Sequence, residues 1–332
     1  MSQSLSGPRR TSYALFVLAL AVVARFDLAP CLLAGLVSHM ILDVTERRLS
    51  GAGARPLLAR WAALAVFAIL ATALTWIFVK FLRLGLSRLP VLMDAVLPRL
   101  TILSERHGLD LPIENAHELR DLVIAAAKKN AASLSKTSGL LTRGFFLVIA
   151  GVFVAVMRFL TASGGLTPGP GGESGGSLFD ALRREFAARA SLFIRSFERV
   201  VGAQVTISIV NTLLTAVFLY GLGFPFRTFL TLTAFVCGMV PIVGNVVSNI
   251  VIVTAGLIVS EQMAMFGLVY LVIIHKLEYL LNSRIVGGAI DTPMWLTLLG
   301  LVIGEAVMGV PGVLLAPALL HYAREELRAI PT

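Results

Sequence analysis

Apolar runs long enough to cross a bilayer recur along this chain, and between them charge is scarce. Val205–Tyr220, Thr228–Val259, Met263–Leu281 and Trp295–Tyr322 follow one another with only short polar joints. A soluble fold cannot absorb such runs. With 57% hydrophobic and 14% charged residues, too little polar surface remains to cover a globule. The solvent for most of the chain is therefore lipid. In lipid the backbone must satisfy its own hydrogen bonds, and the fold class expected is all-α, a polytopic helical membrane protein. If a span takes about 20 residues, eight spans account for about half of the 332 residues. This excludes a soluble enzyme, a disordered chain and a secreted disulfide scaffold. Cys31 and Cys237 lie inside apolar runs without metal-ligand spacing and read as small buried hydrophobes.

The net charge of +9 first suggests nucleic acid. The basic residues, however, form no tract with interleaved aromatics, and they cluster at the ends of apolar runs. No nucleic-acid partner is expected; the partners are the bilayer and a small-molecule or ion substrate.

Tyr13–Ala24 and Leu28–Leu42 flank the break Arg25-Phe26-Asp27. Ala19-Leu20-Ala21 resembles a signal-peptide cleavage site, but no polar mature domain follows, which favours a helical hairpin. Arg9 and Arg10 precede it, and Glu46, Arg47, Arg48, Arg55 and Arg60 follow, so both ends are assigned to the cytoplasm. Leu64–Val79 is the core of a third span, with Trp61 and Trp76 near its two ends as interfacial anchors. The expected divisions are 1–84, the hairpin and third span, and 85–143, an extramembrane amphipathic helical insert punctuated by Pro90, Pro98, Gly108 and Pro112. Residues 144–177 hold a fourth span and a Gly/Ser/Pro-rich linker. That linker lacks the Lys-Ser or Lys-Thr of a phosphate-binding loop.

Residues 178–200 read as an amphipathic helix. Phe179, Leu182, Phe186, Phe193, Phe197 and Val200 recur at helical spacing, and Arg183, Arg184, Arg189, Arg195 and Arg199 occupy much of the remainder. Such a helix suits the headgroup region of the cytoplasmic leaflet, or the surface of the protein itself. Residues 201–332 are the expected transport core. Gly238, Pro241 and Gly244 interrupt one run there, and Gly309, Pro311, Gly312 and Pro317 another. Proline removes a backbone donor, so each cluster should break its helix and leave polar groups that line a cavity or find partners. Two broken segments point to a transport pathway. Asn245 and Asn249 share a helix face beside the first break, near Ser248. The run Thr228–Val259 either crosses once or dips and returns, a choice that alters the span count and moves the C-terminus; eight spans with both termini inside is the reading taken.

Ionisable residues at membrane depth mark function by default. Glu305 lies in the last run without a basic neighbour, where a desolvated carboxylate can exchange a proton or bind a cation. His275 and Glu278, three apart, share a face, with Lys276 elsewhere. His39 is alone on its run and reads as a packing histidine. No catalytic residues, metal ligands or cofactors are expected. No His-Glu-x-x-His, Gly-x-Ser-x-Gly or P-loop motif occurs.

Arg199-Val200-Val201-Gly202-Ala203-Gln204 through Asn211, then Gly221-Leu222-Gly223-Phe224-Pro225, resembles the autoinducer-2 exporter family of predicted permeases. Val240-Pro241-Ile242-Val243-Gly244 is similar to that family's Pro-x-x-Gly break. Leu277-Glu278, Arg284-Ile285-Val286-Gly287 and Pro293 fit the segment before its last span. Gly309-Val310-Pro311-Gly312-Val313-Leu314-Leu315-Ala316-Pro317 resembles its terminal signature. Asn245 and Ser283 stand where the family often has proline, and Glu305 is unusual. The resemblance implies a bacterial inner-membrane permease. Family members are linked to export of the quorum-sensing signal autoinducer-2 or to sodium/proton antiport. A non-transporting membrane scaffold is the reading from another class. A homo-oligomer is expected.

Overall fold

The computed structural model describes residues 7–107, 138–161, 177–240, 243–285 and 293–329. Among these the backbone forms nine helices and no strand: α1 (Gly7–Arg25), α2 (Ala29–Gly51), α3 (Pro56–His107), α4 (Ser138–Thr161), α5 (Leu178–Gly221), α6 (Arg227–Gly238), α7 (Val243–Val259), α8 (Glu261–Ile285) and α9 (Met294–Arg328). Ala29–Gly51, Pro56–Leu100, Thr142–Thr161, Leu178–Gly221 and Trp295–Arg328 are long and apolar enough to cross a membrane. The chain is an all-α, multi-pass membrane protein.

Two compact units form. The first comprises Met1–Leu70, Thr142–Gly202 and Ala289–Thr332; the second comprises Ala71–Leu141 and Ala203–Gly288. In the first, α1 and α2 are joined by a short turn in which Asp27 has a φ of 52°. Its core joins Phe16 of α1 and Leu36 of α2 to Phe193, Phe197 and Val200 of α5 and to Leu315, Ala318 and Tyr322 of α9. The apolar stripe of residues 178–200 is therefore covered by protein over most of its length, and only its beginning, Leu178 and Phe179, stands exposed. Continuity differs from the expectation too. The amphipathic stretch and the span after it form one 44-residue helix, because nothing between Val200 and Val205 interrupts the backbone ladder.

The third helix likewise runs on where a break was expected. It continues through Pro90 and Pro98 to His107, across the expected 84/85 boundary. Each proline costs one backbone hydrogen bond. The burial of Leu92 and Val96 beside Leu219, Phe229, Leu230, Ile252 and Ala255 in the second unit offsets that loss. The middle of the expected insert and the Gly-rich linker lie outside the described residues.

Both broken segments reverse direction instead of kinking. Phe229 and Leu230, early in α6, share a core with Ile252 and Ala255, late in α7, so these helices of 12 and 17 residues lie side by side. Residues 228–259 thus fold back and do not cross as one helix. In α9 the backbone leaves helical geometry at Gly309, with φ of 63° and ψ of −151°, a combination essentially restricted to glycine. A methyl group on Gly304 would come within 2.6 Å of the Gly312 carbonyl oxygen and 3.1 Å of the Ala316 Cβ. In a straight helix Gly304 and Ala316 would stand about 18 Å apart. The last run is therefore two antiparallel arms, packed backbone to backbone at glycines, and its total length overstates its reach.

This geometry predicts a cross-link. With Cys31 and Cys237 replaced by serine, Gly300→Cys paired with Leu320→Cys should form an intramolecular disulfide under mild oxidation, read as a gel shift. A continuous helix would hold the pair about 30 Å apart and give none.

Candidate functional site

The second unit holds a small polar cleft, with a cavity volume of about 20 Å³. It is built on α5, α7 and α8, with Ala234 of α6 at its wall. Its foundation is the broken end of α6. Helix ends leave carbonyls without intrahelical partners, and a membrane interior offers no water to replace them. Two side chains of α5 fill that role. Gln204 Nε2 donates to the Gly238 carbonyl at 2.8 Å, and Ser208 Oγ donates to the Phe235 carbonyl at 3.1 Å. Gly238 has to be small, since a methyl group there would lie 2.9 Å from Ser208 Oγ.

From that anchored turn α7 returns with Asn245 in its first turn. Asn245 Nδ2 donates to both carboxylate oxygens of Glu278 on α8, at 2.8 and 2.7 Å. A bond to a charged acceptor is stronger than a neutral one, so this contact ties the α6–α7 turn to α8. Ser248 Oγ donates to the Asn245 carbonyl at 3.1 Å, and Asn249 lines the cleft one turn on. On the α5 side Thr215 bonds the Asn211 carbonyl at 2.7 Å and meets the Tyr270 hydroxyl at 3.0 Å. Tyr270 in turn stacks on Phe218, ring centroids 4.0 Å apart.

One group in the cleft is left over. Asn211 Oδ1 is buried without a hydrogen-bond partner among the described residues. A buried, unsatisfied acceptor costs free energy on the order of 1–3 kcal/mol, which a polar ligand or cation recovers on binding. Between Glu278, Asn211, Asn245, Asn249, the Ser248 and Thr215 hydroxyls and Tyr270, the cleft offers mainly oxygen acceptors and reorientable hydroxyls. That chemistry suits a small hydroxylated solute or a cation.

Of the residues singled out in the sequence, Asn245, Asn249, His275 and Glu278 meet here, while Lys276 is not among the lining residues. Gly238 and Gly244 are buried at the turn. Pro241, between them, lies outside the described residues. Gly309, Pro311, Gly312 and Pro317 belong to the first unit's α9 hairpin, and so does Glu305, whose side chain is exposed. None of these five lines the cleft. Asn211, Thr215 and Tyr270 were missed; the only signal in the sequence was that Asn211 and Thr215 stand four apart within an apolar run.

A family model described as AI-2E family transporter matches residues 11–331. A protein of Bacillus subtilis (strain 168), named "Putative transport protein YdbI", is 29% identical over 133 residues, which is 40% of this chain and 38% of that protein. The aligned stretch thus spans well under half the length of that relative.

The Asn245–Glu278 bond should register in a double-mutant cycle of thermal stability in detergent. Asn245→Ala and Glu278→Gln should each destabilise the protein, and the double variant should lose less than their sum, with a coupling of about 1–2 kcal/mol. Strict additivity would mean that the contact contributes nothing.

Proposed function

Because the chain belongs to the AI-2E transporter family, we propose that it is a secondary permease whose second-unit cleft holds the transported solute or its coupling ion. It is a membrane transport protein by family; the solute, the coupling and the direction are the proposal. The observation that carries the reading is the Glu278 carboxylate, held by the turn of a reversed helix pair and facing the unpartnered Asn211 oxygen's cleft. Broken helices that place polar groups around a cavity are a general device for moving polar solutes through lipid.

The proposed cargo is a small solute or signal molecule of the autoinducer-2 type, and the proposed location is the bacterial inner membrane with the N-terminus in the cytoplasm. Support for that orientation comes from the basic flanks at Arg9, Arg10, Arg47, Arg48 and Arg55. Sodium/proton exchange is a second reading, favoured by the same carboxylate among neutral oxygens. The oligomeric assembly and the pathway role of Gly309, Pro311, Gly312 and Pro317 remain part of the proposal, as does a coupling role for Glu305 and His275. With no nucleotide-binding motif in the sequence, an ion gradient or downhill flow is the driving force proposed.

Flux in proteoliposomes tests this, with sodium, protons and small polyol-like signals supplied side by side. Glu278→Gln should lower gradient-driven flux about tenfold or more while the protein keeps its helical content, and Glu305→Gln should lower it further. Flux untouched by the two changes together contradicts the coupling assignment. No flux of any solute would favour a membrane scaffold instead.

A further inference from the structure

His39, alone in its apolar run, does not stand alone in the fold. Asp43 lies one turn further along the same face of α2, and Glu198 reaches the pair from α5, all within the first unit. All three are half-buried, and one ligand atom from each lies within 4.8 Å of the others. The His39 ring makes no hydrogen bond among the described residues. We propose that His39, Asp43 and Glu198 form a binding site for a divalent transition-metal ion, distinct from the transport cleft.

The donor set is the argument. One imidazole nitrogen and two carboxylates satisfy a borderline cation such as zinc, with positions left for water. Ligand atoms around zinc stand about 3–4 Å apart at bond lengths of about 2.0–2.2 Å, so closure from the observed spacing needs only side-chain rotation. The two carboxylates are held at present by a single cation. Arg47 Nη2 lies 2.8 Å from Asp43 Oδ2 and 3.0 Å from Glu198 Oε2. Its side chain is 58% exposed and swings clear of the site at little cost. A divalent ion would neutralise both carboxylates, where the guanidinium supplies one charge to the two. Arg158 of α4 also acts electrostatically on His39 and opposes any cation there, which sets the site's affinity below that of a purely acidic cage. Once bound, the ion would cross-link α2 to α5.

The test uses tag-free, full-length protein in detergent, stripped with a chelator and titrated with Zn²⁺ by calorimetry. X-ray absorption of the loaded protein reports the ligands. One zinc per chain is expected, with the outer-shell scattering of one imidazole ring. His39→Gln should weaken binding by about tenfold or more and remove the imidazole signature, and Asp43→Asn should also weaken it. Arg47→Ala removes the competing cation and should bind at least as tightly as the unaltered chain. Circular dichroism confirms that each variant is folded before its titration is counted. Absence of stoichiometric binding, or a titration unchanged by His39→Gln and Asp43→Asn, overturns the proposal; so does weaker binding by Arg47→Ala.

Discussion

Two carbonyl groups at the end of α6 would have no partner in a membrane, and Gln204 and Ser208 of α5 supply one each. That provision lets the chain stop a helix inside an apolar segment and turn back. With the turn anchored, α7 begins beside α8, and Asn245 meets Glu278 across the gap. The cleft follows from this order of events: a broken helix, side chains that satisfy its end, a return strand of helix, and a carboxylate held at its start. Each step depends on the one before. Without the α5 side chains the break would carry a desolvation penalty of several kcal/mol, and the polar residues of α7 would have no fixed position.

The first unit solves the related problem differently. Its last run reverses at Gly309 by adopting a backbone conformation closed to other residues, and Gly304 and Gly312 let the two arms touch backbone to backbone. Small residues at close crossings are the general means of packing helices where lipid is as apolar as the side chains. The unit's core is otherwise aromatic. Phe16, Phe193 and Tyr322 bring α1, α5 and α9 together, and Arg189, only 3% exposed, lies over the Tyr13 ring at 3.9 Å and pairs with Glu185.

The class of the fold was readable directly, because apolar runs of bilayer length admit few alternatives. The positions of the breaks were readable as well, since Gly238, Pro241 and Gly244 and the Gly309–Pro317 cluster both weaken the helix ladder. What the chain does after a break was not. Proline marks where a donor is lost, whereas the new direction depends on which groups find partners: Gln204 in one case, Gly304 against Gly312 in the other. Pro90 and Pro98 show the converse, since burial of Leu92 and Val96 keeps α3 helical through both. The cleft was half visible. Asn245, Asn249, His275 and Glu278 carried their spacing in the sequence, but Asn211 and Tyr270 are single polar residues on apolar helices, and only packing assigns them a face. The same holds for His39, whose neighbour Glu198 lies far along the chain.

The central claim is that polar residues of the second unit line a water-accessible path at membrane depth. Cysteine labelling tests it most directly. On a background with Cys31 and Cys237 replaced by serine, Asn211→Cys and Asn249→Cys face the cleft, while Val246→Cys and Ile250→Cys lie on the outward face of α7. In native membranes a small water-soluble thiol reagent should modify the first two and leave the second two unreacted. Equal labelling of all four, or none at Asn211→Cys and Asn249→Cys, would contradict the account.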